Sequence, residues 1–158
     1  MVIHLLRHAD AGDPEAWTGP DSVRPLSEKG RKQSKRLAEH LATIGFSVDR
    51  IITSPKIRAE QTAEIVAEQI KAKVSVDDRL AGPFDLATVD AILTDAGDPE
   101  RVVLVGHDPD FSHTLSTLAG PRLEMKKGAI ARIDAERPLR AGRGTLRWLL
   151  PPDALRDR

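Results

Sequence analysis

The chain has 158 residues, 24 lysines and arginines against 24 aspartates and glutamates, and no cysteine. That length points to one domain over residues 1–158 that buries its own core. The missing thiols exclude disulfides, thiol catalysis and thiolate metal sites, and the cancelled charge gives no electrostatic case for a nucleic-acid or membrane partner. The opening apolar run is too short for a signal peptide or a spanning helix, so a cytoplasmic location is expected.

Residues 2–6, Val-Ile-His-Leu-Leu, read as a short buried strand that delivers Arg7-His8-Ala9 into a loop. Residues 10–25 are polar and rich in Gly, Pro and Asp, and predict an irregular loop near the strand end. Ser27 is placed to cap a helix carrying Leu37, Leu41 and Ile44 at helical spacing, with Gly45 as its stop. Residues 48–53 predict a second strand. Ser54-Pro55 then reads as a cap followed by proline at the first helical position, with the helix running through Ala59, Ala63, Val66 and Ile70.

Residues 74–76 alternate as a short strand, residues 77–85 read as loop punctuated by Gly82-Pro83, and residues 86–93 as a short helix. Residues 102–105 make the strongest strand in the chain. Asp108-Pro109 opens a further helix by the same cap-plus-proline logic, to about Ala119, and Gly120-Pro121 ends it. Residues 129–133 and 145–150 read as strands, with a polar, frayed tail from about 151. Strands alternating with helices indicate an α/β fold: a three-layer α/β/α sandwich with a mostly parallel central sheet. The link between the last two strands is too short for a helical crossover, so they pair antiparallel and the sheet is mixed.

Three of these strands end alike. The first runs into Arg7 and His8, the second into Ser54-Pro55 and Arg58, and the strand at 102–105 into Gly106 and His107. Open α/β sheets bind ligands outside the carboxyl ends of their strands. Two guanidiniums and two imidazoles at such ends predict one cationic pocket for a phosphate. A neutral imidazole whose second nitrogen is held by an acceptor can act as a nucleophile, and Arg7 beside His8 disfavours the ring's protonated form. Arg58 falls in the first turn of a helix, where the dipole disfavours a cation but welcomes an anion. Gly106 permits close backbone approach beside His107.

Each signal has an ordinary alternative: a solvated loop histidine at 8, an Arg58 paired with Glu60 or Glu64, and a His107 that only bonds its own loop. A metal site is the rival use of the two histidines. It lacks thiolates and a His-Glu-x-x-His spacing, and two arginines beside it would repel a divalent cation.

Four segments in order then carry a resemblance: Leu6-Arg7-His8-Ala9; Arg24-Pro25-Leu26-Ser27-Glu28-Lys29-Gly30; Ser54-Pro55 with Arg58-Ala59-Glu60-Gln61-Thr62-Ala63; and Val105-Gly106-His107-Asp108-Pro109. Together they resemble the histidine phosphatase, or phosphoglycerate mutase-like, superfamily. The short chain and the stretch Asp21-Ser22-Val23-Arg24-Pro25-Leu26 look most like its SixA-type phosphohistidine phosphatases. The resemblance implies that His8 is the nucleophile that becomes phosphorylated. It implies that Arg7, Arg58 and His107 bind the phosphoryl group, with Arg24 adding a contact at the pocket mouth, and that no metal or other cofactor is needed. The implied partner is a phosphohistidine-bearing signalling protein.

One departure matters. Many members carry a glutamate general acid in a Leu-x-Glu step, where this chain has Leu80-Ala81-Gly82. Loss of that acid costs about 10²–10⁴-fold with an alkoxide leaving group. A phosphorylated imidazole leaves more readily once its ring is protonated, so the departure favours phosphohistidine. Asp10, Asp13 and Asp85 remain alternative proton sources. Two other readings stay open: a phosphatase of small phosphate esters, and a catalytically silent phosphate- or phosphoprotein-binding module.

Overall fold

The computed structural model describes residues 1–155. Its strands are β1 (Val2–Arg7), β2 (Arg50–Thr53), β3 (Val74–Val76), β4 (Arg101–Gly106), β5 (Ile130–Ala135) and β6 (Gly144–Leu150). The helices between them are α1 (Glu28–Thr43), α2 (Ile57–Ile70), α3 (Leu86–Asp95) and α4 (Asp110–Ala119). The strands form one sheet in the order β3-β2-β4-β1-β5-β6. β1 to β4 are mutually parallel, while β5 pairs antiparallel with both β1 and β6. The mixed, mostly parallel sheet agrees with the sequence reading.

Helices cover both faces of the sheet, which is why its central strands are apolar on both sides. Ile3 and Leu5 of β1 pack with Leu104 of β4 and with Phe111 and Leu115 of α4 in one core. Leu6 of β1 joins Val103 and Val105 of β4, Leu37 and Leu41 of α1, and Ala59, Ala63 and Val66 of α2 in the other. The alternation follows the period of a strand.

α1 begins as expected. Ser27 Oγ accepts from the Gly30 amide at 3.0 Å and donates to Asp10 Oδ2 at 2.6 Å, tying the helix start to the loop after β1. Gly45 lies just past the helix end with φ +70°, a conformation that favours glycine.

The cap-plus-proline reading needs correction at the other two helices. α2 starts at Ile57, and its cap position is Lys56, with no side-chain cap. Ser54 Oγ accepts instead from the Lys56 amide at 3.2 Å and bonds His107 across the sheet. α4 starts at Asp110 behind Pro109, and Asp108 reaches past the cap to accept from the Ser112 amide and hydroxyl at 2.9 and 2.6 Å. At Ser54 a tertiary partner takes the hydroxyl from the helix, whereas Asp108 stays local and holds the first turn of α4 from one position before the cap.

Smaller corrections concern segments read as irregular. Asp78–Ala81 forms a 3-10 turn, and so does Pro152–Leu155, where fraying was expected. Leu155 packs against the core under α1 and α2, so this part of the tail is anchored. The remainder of the tail, residues 156–158, lies outside the described residues. No helix among the described residues is long and apolar enough to cross a membrane.

Candidate functional site

β2, β4 and β1 are neighbours in the sheet, so their carboxyl ends open side by side. The His8 amide donates to Gly106 O at 2.9 Å, and the Ser54 amide donates to Val105 O at 2.9 Å, which stitches the three loops together just beyond the sheet. This register brings Arg7, His8, Arg58 and His107 to one place.

His8 is 6 % exposed. Its Nδ1 lies 2.7 Å from Ala9 O, and because a carbonyl only accepts, Nδ1 carries the proton. The neutral ring therefore presents its Nε2 lone pair. Burial lowers the His8 pKa to about 4, and the charges of Arg58, Arg7 and Arg24 add to that. The sequence reading gave the main role to neighbouring cations; desolvation is the larger cause. The loop itself is held from α2: the Ala9 amide donates to Thr62 Oγ1 at 3.1 Å, and Gln61 Oε1 accepts from the Leu26 amide at 2.8 Å.

The His107 ring lies 5.1 Å from that of His8, centroid to centroid. Its Nε2 is 2.7 Å from Ser54 Oγ. Burial, then the neighbouring His8 and Arg58, lower its pKa to about 3, so this ring is also neutral. The close approach expected at Gly106 is made by the Phe111 ring: a Cβ added there would lie 2.7 Å from two of its carbons.

Arg58 is 5 % exposed and pairs with neither Glu60 nor Glu64. Its Nη1 donates to Asp21 O at 2.8 Å and its Nη2 to Asp21 Oδ2 at 2.9 Å. The other Asp21 oxygen accepts from Arg24 Nε at 3.2 Å, and Arg24 Nη1 donates to Ala11 O at 2.7 Å. Asp21 thus clasps both arginines and folds the loop of residues 10–25 over the strand ends. Burial works to raise its pKa, but the bonds and charges of Arg58 and Arg24 hold it below the ordinary carboxylate value. Arg7 Nη1 donates to Met125 O at 2.8 Å and lies 3.5 Å from Asp108 Oδ2.

Among the described residues, three buried side-chain polar atoms lack a protein partner: Arg7 Nε, Arg58 Nε and His107 Nδ1. All three belong to residues singled out from the sequence. Buried donors without partners are costly, and an oxyanion is the kind of group that could accept from them.

The carboxylates read as alternative proton sources are occupied elsewhere. Asp10 accepts from Ser27 and Gly12, and the Ser27 bond leads in lowering its pKa. Asp13 caps the 3-10 turn Pro14–Ala16, and Asp85 caps α3 through Thr88. Sequence reasoning missed Asp21, Ser54, Gln61 and Thr62 as site residues, although each lies inside a motif it quoted. Among the described residues no group of three or more His, Cys, Asp or Glu side chains is placed to hold a metal ion.

A family model described as "Histidine phosphatase superfamily (branch 1)" matches residues 3–82. The chain is 30% identical to the phosphohistidine phosphatase SixA of Escherichia coli K12, over 96% of this chain and 94% of that one. It is 34% identical to an uncharacterised protein of a Picosynechococcus strain, over 96% of this chain and all of that one. The solved structure of the protein histidine phosphatase SixA complexed with tungstate superposes with a TM-score of 0.84, at 28% identity, covering 99% of this chain and 100% of that one.

Proposed function

From the premise that this chain belongs to the histidine phosphatase superfamily, we propose that it removes a phosphoryl group from phosphohistidine on a protein, through a phosphorylated His8. The observation that carries this reading is the set of orphaned buried nitrogens on Arg7, Arg58 and His107 around a neutral His8.

In the first step His8 Nε2 forms a bond to phosphorus as the bond to the leaving imidazole breaks, and a solvent proton goes to that ring. Arg7, Arg58 and His107 hold the equatorial oxygens and stabilise their charge. Water then attacks the phosphorylated His8, releasing phosphate and restoring the neutral ring. Three features support an imidazole leaving group over an alkoxide. Leu80-Ala81-Gly82 carries no acid, Asp10, Asp13 and Asp85 are tied up as caps and loop bonds, and the carboxyl group clasped at Arg58, that of Asp21, is ionised rather than acidic. The substrate on this reading is a phosphohistidine-bearing signalling protein in the cytoplasm.

The test compares turnover of a phosphohistidine protein with a panel of sugar, nucleotide and aryl phosphates, and traps the phosphoenzyme. The expected result is preference for phosphohistidine and an acid-labile phosphoenzyme that His8→Ala abolishes. Preference for an ester makes the protein a small-molecule phosphatase. Binding without turnover makes it a silent module.

A further inference from the structure

His4 is a polar residue in the middle of β1 that the phosphatase reading does not use. It is 3 % exposed, and its Nδ1 lies 3.1 Å from Val102 O. A carbonyl only accepts, so Nδ1 carries the proton and Nε2 a lone pair. Burial lowers the pKa of this ring to about 4, so it is neutral. No protein hydrogen bond is made at Nε2, which stays accessible on the cavity side.

The ring lines a cavity of about 210 Å³ on the face of the sheet covered by α1 and α2. Two further walls are aromatic. Phe46 meets the His4 ring edge-on with centroids 4.7 Å apart, and Trp148 lies tilted at 5.6 Å. The rim carries Arg101 and Arg132. Arg132 is held by Asp134 at 3.0 Å, whereas the Arg101 guanidinium has no partner among the described residues. The cavity lies four residues back along β1 from His8, about 13 Å at the rise of a strand, and is separate from the phosphate site.

We propose that this cavity binds a planar heteroaromatic ring of purine or indole size, which donates an N–H to His4 Nε2 and carries an anionic group that reaches Arg101. The aromatic walls favour a flat ring, the neutral imidazole offers an acceptor, and the free guanidinium selects a negative substituent.

The chain has two tryptophans, Trp17 and Trp148, so Trp17→Phe leaves Trp148 as the only indole reporter. This variant is titrated with AMP, adenosine and inorganic phosphate while Trp148 emission is followed, and with indole-3-acetate while the 15N-labelled Trp148 Nε1–H resonance is followed. The expected result is a saturable change with AMP or indole-3-acetate, and whichever gives it identifies the ring. Phosphate alone leaves the emission unchanged. His4→Phe, which keeps a flat ring but removes the acceptor, weakens binding about tenfold. Arg101→Ala, at an exposed side chain, brings AMP down to the affinity of adenosine and leaves adenosine unaffected. The proposal is overturned if neither anionic ring gives a saturable response, if phosphate alone reproduces the response, or if both variants bind like their parent.

Discussion

Ser54 Oγ and His107 Nε2 lie 2.7 Å apart, and that single contact decides what His107 can offer a substrate. Ser54 Oγ already accepts from the Lys56 amide at 3.2 Å, so its own proton is free to donate. His107 is neutral, with Nε2 accepting from Ser54 and the proton therefore on Nδ1. Nδ1 is the atom left without a partner. On the proposed function, Ser54 thus fixes the tautomer that leaves His107 Nδ1 as a donor for a phosphoryl oxygen.

Ser54→Ala removes this control and leaves a buried imidazole free to take either tautomer. The expected loss in kcat/KM is about 10-fold to 100-fold, in the range of a hydrogen bond that orients a catalytic group. Ser54→Thr, which keeps the hydroxyl, restores most of it. Steady-state kinetics on the three proteins is the check, with tungstate affinity as a second readout. An alanine variant that matches the parent in both would remove Ser54 from the machinery.

Arg58 has the larger part in the proposed reaction. It lies at the site with its Nη atoms on Asp21 and its Nε unpartnered. Arg58→Ala should lower kcat/KM by about 10²–10³, the cost of losing a preorganised donor to the transition state. Arg58→Lys should recover little, because a point charge cannot hold Asp21 and an oxyanion together through one planar fork. Arg58 is also the first of the charges that lower the His8 pKa after burial. The alanine variant should therefore show a His8 ring titrating at higher pH, which histidine-labelled NMR reads directly. An unmoved His8 titration would separate the two residues.

How far all this could be read from sequence depends on how local each cause is. The strand ends at Arg7, Arg58 and His107 were legible because apolar runs mark β1, β2 and β4, and sheet topology places their carboxyl ends together. Ser27 as a cap was legible because its partner, the Gly30 amide, is three residues away. Ser54 was misread by the same rule, since its hydroxyl bonds His107 and the Lys56 amide ahead of α2; Asp108 does hold the first turn of α4, through Ser112, but from one position before the cap and with Arg7 3.5 Å away. Asp21 stood in a quoted motif, yet its role arises only when the loop of residues 10–25 brings it onto Arg58, 37 positions along the chain. The motif Arg58-Ala59-Glu60-Gln61-Thr62-Ala63 was recognised as a pattern before its parts had roles. Ala59 and Ala63 are fully buried, and Gln61 and Thr62 hold the loops around His8.

Three buried histidines make stability depend on pH. Burial lowers His4 and His8 to about 4 and His107 to about 3, from an ordinary value of 6.5. Between those values the unfolded chain binds more protons than the folded one, so unfolding becomes easier as pH falls. The stabilisation is fully present above pH 6.5 and drains away as pH drops toward 4. Urea unfolding at pH 7.5, 6 and 5 should show a decline of a few kcal/mol overall, roughly 1–2 kcal/mol per histidine by pH 5. A bound oxyanion reverses the local preference at His8 and His107, so tungstate should be taken up with protons at pH 5. A flat stability profile would mean that these rings titrate in the fold as they do in the unfolded chain.

Gly30 tests whether the start of α1 positions the loop that carries His8, the proposed nucleophile. A Cβ added there would lie 1.9 Å from Asp10 O and 3.0 Å from Asp10 N, both backbone atoms that cannot rotate aside. Asp10 O accepts from the Ser27 amide at 3.0 Å, and the Asp10 amide donates to Gln33 Oε1 at 3.0 Å. Relieving the clash must break one of these and push Asp10 away from the helix. Asp10 follows Ala9, whose carbonyl holds His8 Nδ1, so the displacement passes to the ring. Gly30→Ala should therefore destabilise the protein by about 1–3 kcal/mol, as overpacking does, and lower kcat/KM in the protein that still folds. Gly82→Ala is the matched control, because nothing lies within 4 Å of its added Cβ and its φ of −120° suits any residue. Thermal unfolding and kinetics on the two variants decide the matter. Equal behaviour would show that the loop tolerates movement at Asp10 and that Ala9 and Thr62 hold His8 without it.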